Sequence, residues 1–169
     1  MEELGRKTVD EFKQAEKNKI IVVLDNVRSV YNVGSIFRTA DAFLIEAIFI
    51  CGYTPLPTHR QMNKTALGST ETVDWLHFKT TAEAVMQLQQ KNYKVFAVEQ
   101  AEGSISLEKF QAKEFEKMAV VFGNEVTGVQ QEVLQACDGC IEIPQHGMKH
   151  SLNISVAAGI VLWRLVYGS

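Results

Sequence analysis

Cysteine is scarce in this sequence. Three cysteines among 169 residues are too few and too uneven in spacing for a disulfide framework. Proline is as rare, with three residues, all between positions 55 and 144. Apolar runs are broken by charged or turn residues well before the roughly 20 positions needed to cross a bilayer, so no membrane span is expected. The opening segment, MEELGRKTVDEFKQAEKNK, is charged throughout and lacks the apolar centre of a secretory signal, which points to the cytoplasm. Positive charge is in deficit as well. Lys and Arg number 17 against 20 Asp and Glu, for a net charge of −3, the wrong sign for a protein that binds polyanions indiscriminately. The acidic excess lies in residues 71–140. An anionic partner should therefore meet the earlier and later segments, where Arg28, Arg38, Arg60, Lys64 and Lys149 sit close to polar loops.

Repeats, low-complexity tracts and interdomain linkers are also missing. A hydrophobic content of 46% with 22% charged residues is ordinary for a globular chain, and the length suits one domain over 1–169 with its own core. Thr8 followed by Glu11 forms a capping-box pattern in an opening helix within about residues 1–19. IIVVLD at 20–25 is the continuous, β-branched pattern of a strand buried on both faces of a parallel sheet. Similar runs recur at 47–51, 94–99, 118–123 and 140–144, with a shorter one at 73–78. Helical patterns lie between them at 33–43, 81–91 and 130–137, and after them at 151–166. This alternation predicts an α/β fold with a mainly parallel sheet flanked by helices. The irregular stretch at 52–69 is long for a compact domain and marks a functional loop.

In such sheets ligands bind at the carboxyl ends of the strands. After the first strand, NVRSVYNVGSIFRTADAF places Asn32 at the amino end of a helix, where Asn is an ordinary N-cap. Arg38 stands among apolar and small residues, so its guanidinium should leave the helix toward a cleft and anionic oxygens; an ion pair with Asp41 or Asp25 is the alternative. GNEVTG at 123–128 has the glycine spacing of a phosphate loop, but Val129 and Gln130 replace the required lysine and hydroxyl residue. No GxGxxG follows any strand. What remains is a glycine-bounded loop carrying one carboxylate, Glu125, able to approach a flat ligand closely or merely to turn the chain. Cys137 and Cys140 with His146 and His150 could form a zinc set, but the gap between the pairs is shorter than the usual ~12 residues, so no metal is expected. In the last segment Ser151 reads as an N-cap, and Asn153, a poor helix former inside the first turn, as a residue held by a polar partner or ligand.

Together the segments NVRSVYNVGSIFRTADAF, AVVFGNEVTGV and IEIPQHGMKHSLNISVAAGIVLW resemble, in order and spacing, the three motifs of the SpoU, or TrmH-like, RNA ribose methyltransferases of the SPOUT class. KTALGS at 64–69 is similar to a stretch of short members. The resemblance implies a trefoil knot in the carboxyl half, S-adenosylmethionine as methyl donor, a ribose 2'-hydroxyl of tRNA or rRNA as acceptor, and a homodimer. It assigns catalytic positions to Asn32, Arg38, Glu125, Ser151 and Asn153, and cofactor contacts to the backbone around Val98, Gly123, Ile143 and Leu152. Larger relatives carry a separate RNA-binding domain, which is not expected here, leaving RNA capture to Arg28, Arg60, Lys64 and Lys149. A non-catalytic RNA-binding module on the same fold is the alternative; it would be marked by loss of Asn32, Arg38 or Asn153, all of which are present.

Overall fold

The computed structural model describes residue 5, residues 7–149 and residues 151–168. The elements run α1 (Val9–Gln14), β1 (Asn18–Asp25), α2 (Val30–Ala42), β2 (Ile45–Cys51), α3 (Asn63–Ala66), β3 (Asp74–Phe78), α4 (Thr81–Gln90), β4 (Lys94–Val98), β5 (Ile105–Ser106), β6 (Met118–Phe122), α5 (Gln131–Ala136), β7 (Gly139–Glu142) and α6 (Ile154–Tyr167). Seven strands form one sheet in the order β3-β2-β1-β6-β4-β7-β5, and every pairing is parallel. No described helix is long and apolar enough to cross a membrane.

The continuous apolar runs are explained by two-sided burial. Side chains alternate across a strand, so Val22 and Leu24 of β1 join Ile36 and Phe37 of α2 and Leu162 of α6 on one face. Ile21 and Val23 join Val85 and Leu88 of α4 and Val133 of α5 on the other. Val22, Val23 and Leu24 have no accessible surface; each such side chain contributes about 1.5–3 kcal/mol by leaving water.

Two expectations are corrected, and one strand is added. The helix read from residue 33 begins at Val30, because Ser29 is its cap and accepts from the Asn32 N–H; Asn32 is therefore inside the first turn rather than at the cap. The last helix begins at Ile154 with Asn153, not Ser151, as its cap. The two-residue strand β5 had no signal in the sequence, and it is held only by pairing with β7. The Thr8–Glu11 capping box forms as expected on α1, although residues 1–4 and 6 of the expected opening helix lie outside the described residues.

Because all strands are parallel, β1, β2, β4, β6 and β7 end at one edge of the sheet. β1 and β6 lie side by side there, and successive connections run outward from them in opposite directions. An open α/β sheet commonly receives a ligand at such a switch in direction; here the cavity opens next to it, past the ends of β4, β6 and β7.

Candidate functional site

Glu125, Asn124 and Asp25 each bridge the end of β1, or the turn after it, and the segment after β6. Glu125, in the loop after β6, accepts through Oε2 from the Arg28 N–H at 2.9 Å and through Oε1 from the Ser29 N–H at 3.0 Å and from Asn32 Nδ2 at 3.1 Å. Its carboxylate thus covers the amino end of α2, where unpaired N–H groups favour negative charge. Partial burial opposes ionisation, but the hydrogen bonds from Arg28, Ser29 and Asn32 outweigh it and hold the carboxyl below its ordinary value.

The third segment joins through Asn153. Its Oδ1 accepts from the Ser155 N–H at 2.9 Å and the Val156 N–H at 3.4 Å, capping α6, while its Nδ2 donates to Asn32 Oδ1 at 3.2 Å. The expected polar partner of Asn153 is therefore Asn32, in addition to the cap. Asn32, Glu125 and Asn153 form one hydrogen-bonded chain across all three motifs.

Beside it opens a cavity of about 560 Å³, within the ordinary range for a small-molecule site. Val98, Gly123, Ile143 and Leu152 all line it, together with Glu125, Ser151 and Asn153. Apolar walls from Val98, Phe122, Ile143 and Ala157 suit a flat aromatic group, and Glu99, Gln145 and Thr127 supply polar edges.

The glycine loop owes its shape to packing. A Cβ on Gly123 would stand 2.2 Å from the Gly128 carbonyl carbon and the Val129 nitrogen. Gly128 has φ +69°, and a Cβ there would lie 2.4 Å from the Glu99 carboxylate. The loop closes on itself through paired Asn124 and Gly128 backbones at 2.9 and 3.0 Å. Both glycines therefore turn the chain tightly, and the resulting hairpin forms part of the cavity wall.

Arg38 departs from expectation. It is exposed on α2 and is not among the cavity-lining residues; Asn32 is also outside the lining. Neither proposed ion pair forms. Asp25 is buried and accepts from Thr81 Oγ1 at 2.5 Å and from the Gln130 N–H at 2.9 Å, and Asp41 accepts from the Thr72 hydroxyl. Arg28, Arg60, Lys64 and Lys149 are all exposed. Tyr31 links three of their segments: its hydroxyl donates to Gln61 Oε1 at 3.3 Å, and its carbonyl accepts from Thr65 Oγ1 at 3.0 Å. Residues next to Arg60 and Lys64 are thereby docked on the helix turn that follows Arg28.

Cys137 and Cys140 pack against the second core face. Burial pushes the Cys137 thiol up to about 12 and raises that of Cys140, so both rest as thiols. No group of three or more metal-ligating side chains occurs among the described residues; His150 of the zinc pattern lies outside them.

Glu99 and Asn124 were not anticipated. Asn124 is 7% exposed; its Oδ1 accepts from the Val126 and Thr127 N–H groups, and its Nδ2 donates to the Asn26 carbonyl and the Tyr53 hydroxyl. An Asn in a glycine-flanked loop at a strand end is a signal for such an Asx turn.

Comparison with known proteins shows the family. Residues 19–163 match the SpoU rRNA Methylase family. A "23S rRNA (guanosine-2'-O-)-methyltransferase RlmB" from Vibrio parahaemolyticus is 30% identical over 97% of this chain and 65% of its own length. A "tRNA (guanosine(18)-2'-O)-methyltransferase" from Thermus thermophilus is 33% identical over 95% of this chain and 81% of its own length. The crystal structure of an AdoMet-bound rRNA methyltransferase from Sinorhizobium meliloti superimposes with a TM-score of 0.81 at 29% identity, covering 89% of this chain and 56% of that one. The chain thus spans just under two thirds of the rRNA relative's length.

Proposed function

The chain belongs to the SpoU rRNA methylase family, and on that premise we propose that it methylates a ribose 2'-hydroxyl of RNA, tRNA in preference to rRNA, using S-adenosylmethionine. The observation that carries this reading is the meeting of Asn32, Glu125 and Asn153 beside the cavity. The preference for tRNA draws on the relative named for tRNA, which is 33% identical to this chain.

The cavity is of a size and lining to take the donor, and Val98, Gly123, Ile143 and Leu152, which line it, would hold the adenosine part. When bound, S-adenosylmethionine supplies an electrophilic methyl group on a sulfonium. A ribose hydroxyl is a poor nucleophile near neutral pH, so the chain's own residues must align it and manage its proton. Arg38 binds the target phosphate and stabilises the developing alkoxide; a guanidinium with pKa above ~12 is not a base. Glu125 holds the α2 turn that carries Asn32, while Ser151 and Asn153 orient the acceptor at the cavity mouth.

Arg38 stands outside the cavity of its own chain, which is one reason to propose a homodimer. Another is α6, where Val156, Ile160, Trp163 and Tyr167 are 51%, 41%, 56% and 61% exposed. They recur at helical spacing along one apolar face beside α2, the helix of Arg38. A trefoil knot belongs to the same reading, supported by β7 running between the earlier β4 and β5 before the chain turns back through α6. RNA capture falls to Arg28, Arg60, Lys64 and Lys149 and weakens with salt.

The test is to incubate the protein and labelled donor with total RNA from cells lacking the gene, separate tRNA from rRNA, and map the alkali-resistant linkage. Label in tRNA at a 2'-O-methyl nucleotide is expected; label on bases, or none, overturns the assignment.

A further inference from the structure

Tyr53 is 64% exposed, yet it is fixed at both ends. Its N–H donates to Asn26 Oδ1 at 3.1 Å, and its hydroxyl accepts from Asn124 Nδ2 at 2.9 Å. The same Asn124 nitrogen donates to the Asn26 carbonyl at 2.7 Å. Asn26 and Gly52 both have positive φ, at +53° and +62°, and a Cβ on Gly52 would lie 1.9 Å from Asn26 Oδ1. Only glycine allows this approach. The neighbouring Thr54 is buried; its hydroxyl donates to the Cys51 carbonyl at 2.8 Å and accepts from the Val27 N–H at 2.9 Å. The ring is therefore tied through its hydroxyl to the β6 loop, and the Tyr53 backbone to the turn after β1, while much of the residue stays in water. A large, rigid, exposed ring has an unmet gain in covering its face, with little ordering entropy left to lose.

Its position indicates what would cover it. Asn124 directly precedes Glu125 and shapes the hairpin of the cavity wall. Arg28 and Tyr31 follow on the adjoining turn, and contacts from Gln61 and Thr65 to Tyr31 bring the segments of Arg60 and Lys64 to the same end of α2. Exposed aromatic rings interleaved with cations are the arrangement that holds single-stranded nucleic acid, the rings stacking bases and the cations following phosphates.

We propose that Tyr53 is a stacking platform for a nucleobase of the RNA substrate, held beside the ribose that is methylated. The inference rests on the RNA-methylating reading above. Stacking depends on the ring rather than the hydroxyl, and its loss costs roughly 5- to 150-fold in affinity.

The experiment measures filter binding of unfractionated tRNA, from cells lacking the gene, to the wild type and to Tyr53→Phe, Tyr53→Leu and Tyr53→Ala. Donor affinity, thermal midpoint and methyl transfer are measured alongside. Tyr53→Phe is expected to bind within about twofold of wild type, whereas Tyr53→Leu and Tyr53→Ala weaken tRNA binding by the stacking factor and raise KM for tRNA more than they lower kcat. Their donor affinity stays within about twofold, which a collapsed loop would not allow. A Phe variant as weak as Ala, or an Ala variant as strong as wild type, overturns the proposal. In either case a wild-type protein that still methylates tRNA leaves the functional reading standing, whereas a wild type that neither binds nor methylates tRNA overturns both.

Discussion

Asn153 Nδ2 donates to Asn32 Oδ1 at 3.2 Å, joining residues 121 positions apart. The contact brings the cap of the last helix against the first turn of α2, and Asn32 continues it to Glu125 at 3.1 Å. Each amide therefore has both ends committed, so removing either partner disturbs two loops.

Substitutions at Asn153 separate its two roles. Asn153→Ala loses the cap and should lower the thermal midpoint by about 2–4 °C, corresponding to roughly 1 kcal/mol in a domain of this size. Asn153→Asp caps equally well but cannot donate to Asn32 and adds a charge near Glu125. Its midpoint should stay near wild type while methyl transfer falls at least ~10-fold, as measured by melting and single-turnover assays.

Arg38 should behave in the opposite way. It is exposed and has no hydrogen bond or ion pair among the described residues, so Arg38→Ala should change stability by less than about 0.5 kcal/mol. Transfer should drop by about 10²-fold or more. Arg38→Lys keeps the charge without the planar fork and should also be impaired; near-normal turnover in that variant would remove the need for a guanidinium.

Glycine substitutions should weaken donor binding. Gly128→Ala places a Cβ in the left-handed region against Glu99, which can rotate away, whereas Gly123→Ala meets backbone that cannot. Gly128→Ala should cost about 1–2 kcal/mol and Gly123→Ala more. Denaturant midpoints give the order, and calorimetry with the donor should show weaker binding in both.

Acid should loosen the sheet through Asp138. Burial opposes its ionisation, but hydrogen bonds from the Val95 N–H, Lys94 and Gln89 prevail and lower its pKa. A carboxyl depressed on folding adds stability above its unfolded pKa of about 3.9, and that stability is lost as pH falls through the lower folded value. Wild type should therefore exceed Asp138→Asn in urea stability at pH 6, with the gap narrowing as pH falls below the unfolded pKa of about 3.9. A constant gap would place the effect elsewhere.

The apolar face of α6 predicts the assembly. Trp163→Glu leaves the packed residues Ala158, Leu162 and Leu165 untouched and should convert dimers to monomers in sedimentation, with loss of transfer. A wild type that sediments as a monomer at micromolar concentration would remove the dimer from the proposal.

The strands were legible because burial on both sheet faces leaves little but apolar, β-branched residues, as in Ile20–Leu24. The starts of α2 and α6 were not, although the Thr8–Glu11 capping box did mark α1. Ser29 and Asn32 are both good caps, as are Ser151 and Asn153, and the choice in each pair depends on partners far along the chain. Motif residues could be named from sequence, but the direction taken by Arg38 could not, because propensity does not say which side of a buried helix faces the cavity. Tyr53 and Asn124 had no local pattern beyond a glycine-flanked loop; their contact spans 71 positions.

The place of β7 has one further consequence. It lies between β4 and β5 although it is translated after both. Among the described residues β5 pairs with β7 and with no other strand, so a growing chain that has reached β6 must leave that end of the sheet open for a latecomer. Ile143, Ser151 and Leu152, which complete the cavity, arrive only behind that latecomer. The cavity can therefore close only after the chain has been synthesised past Leu152.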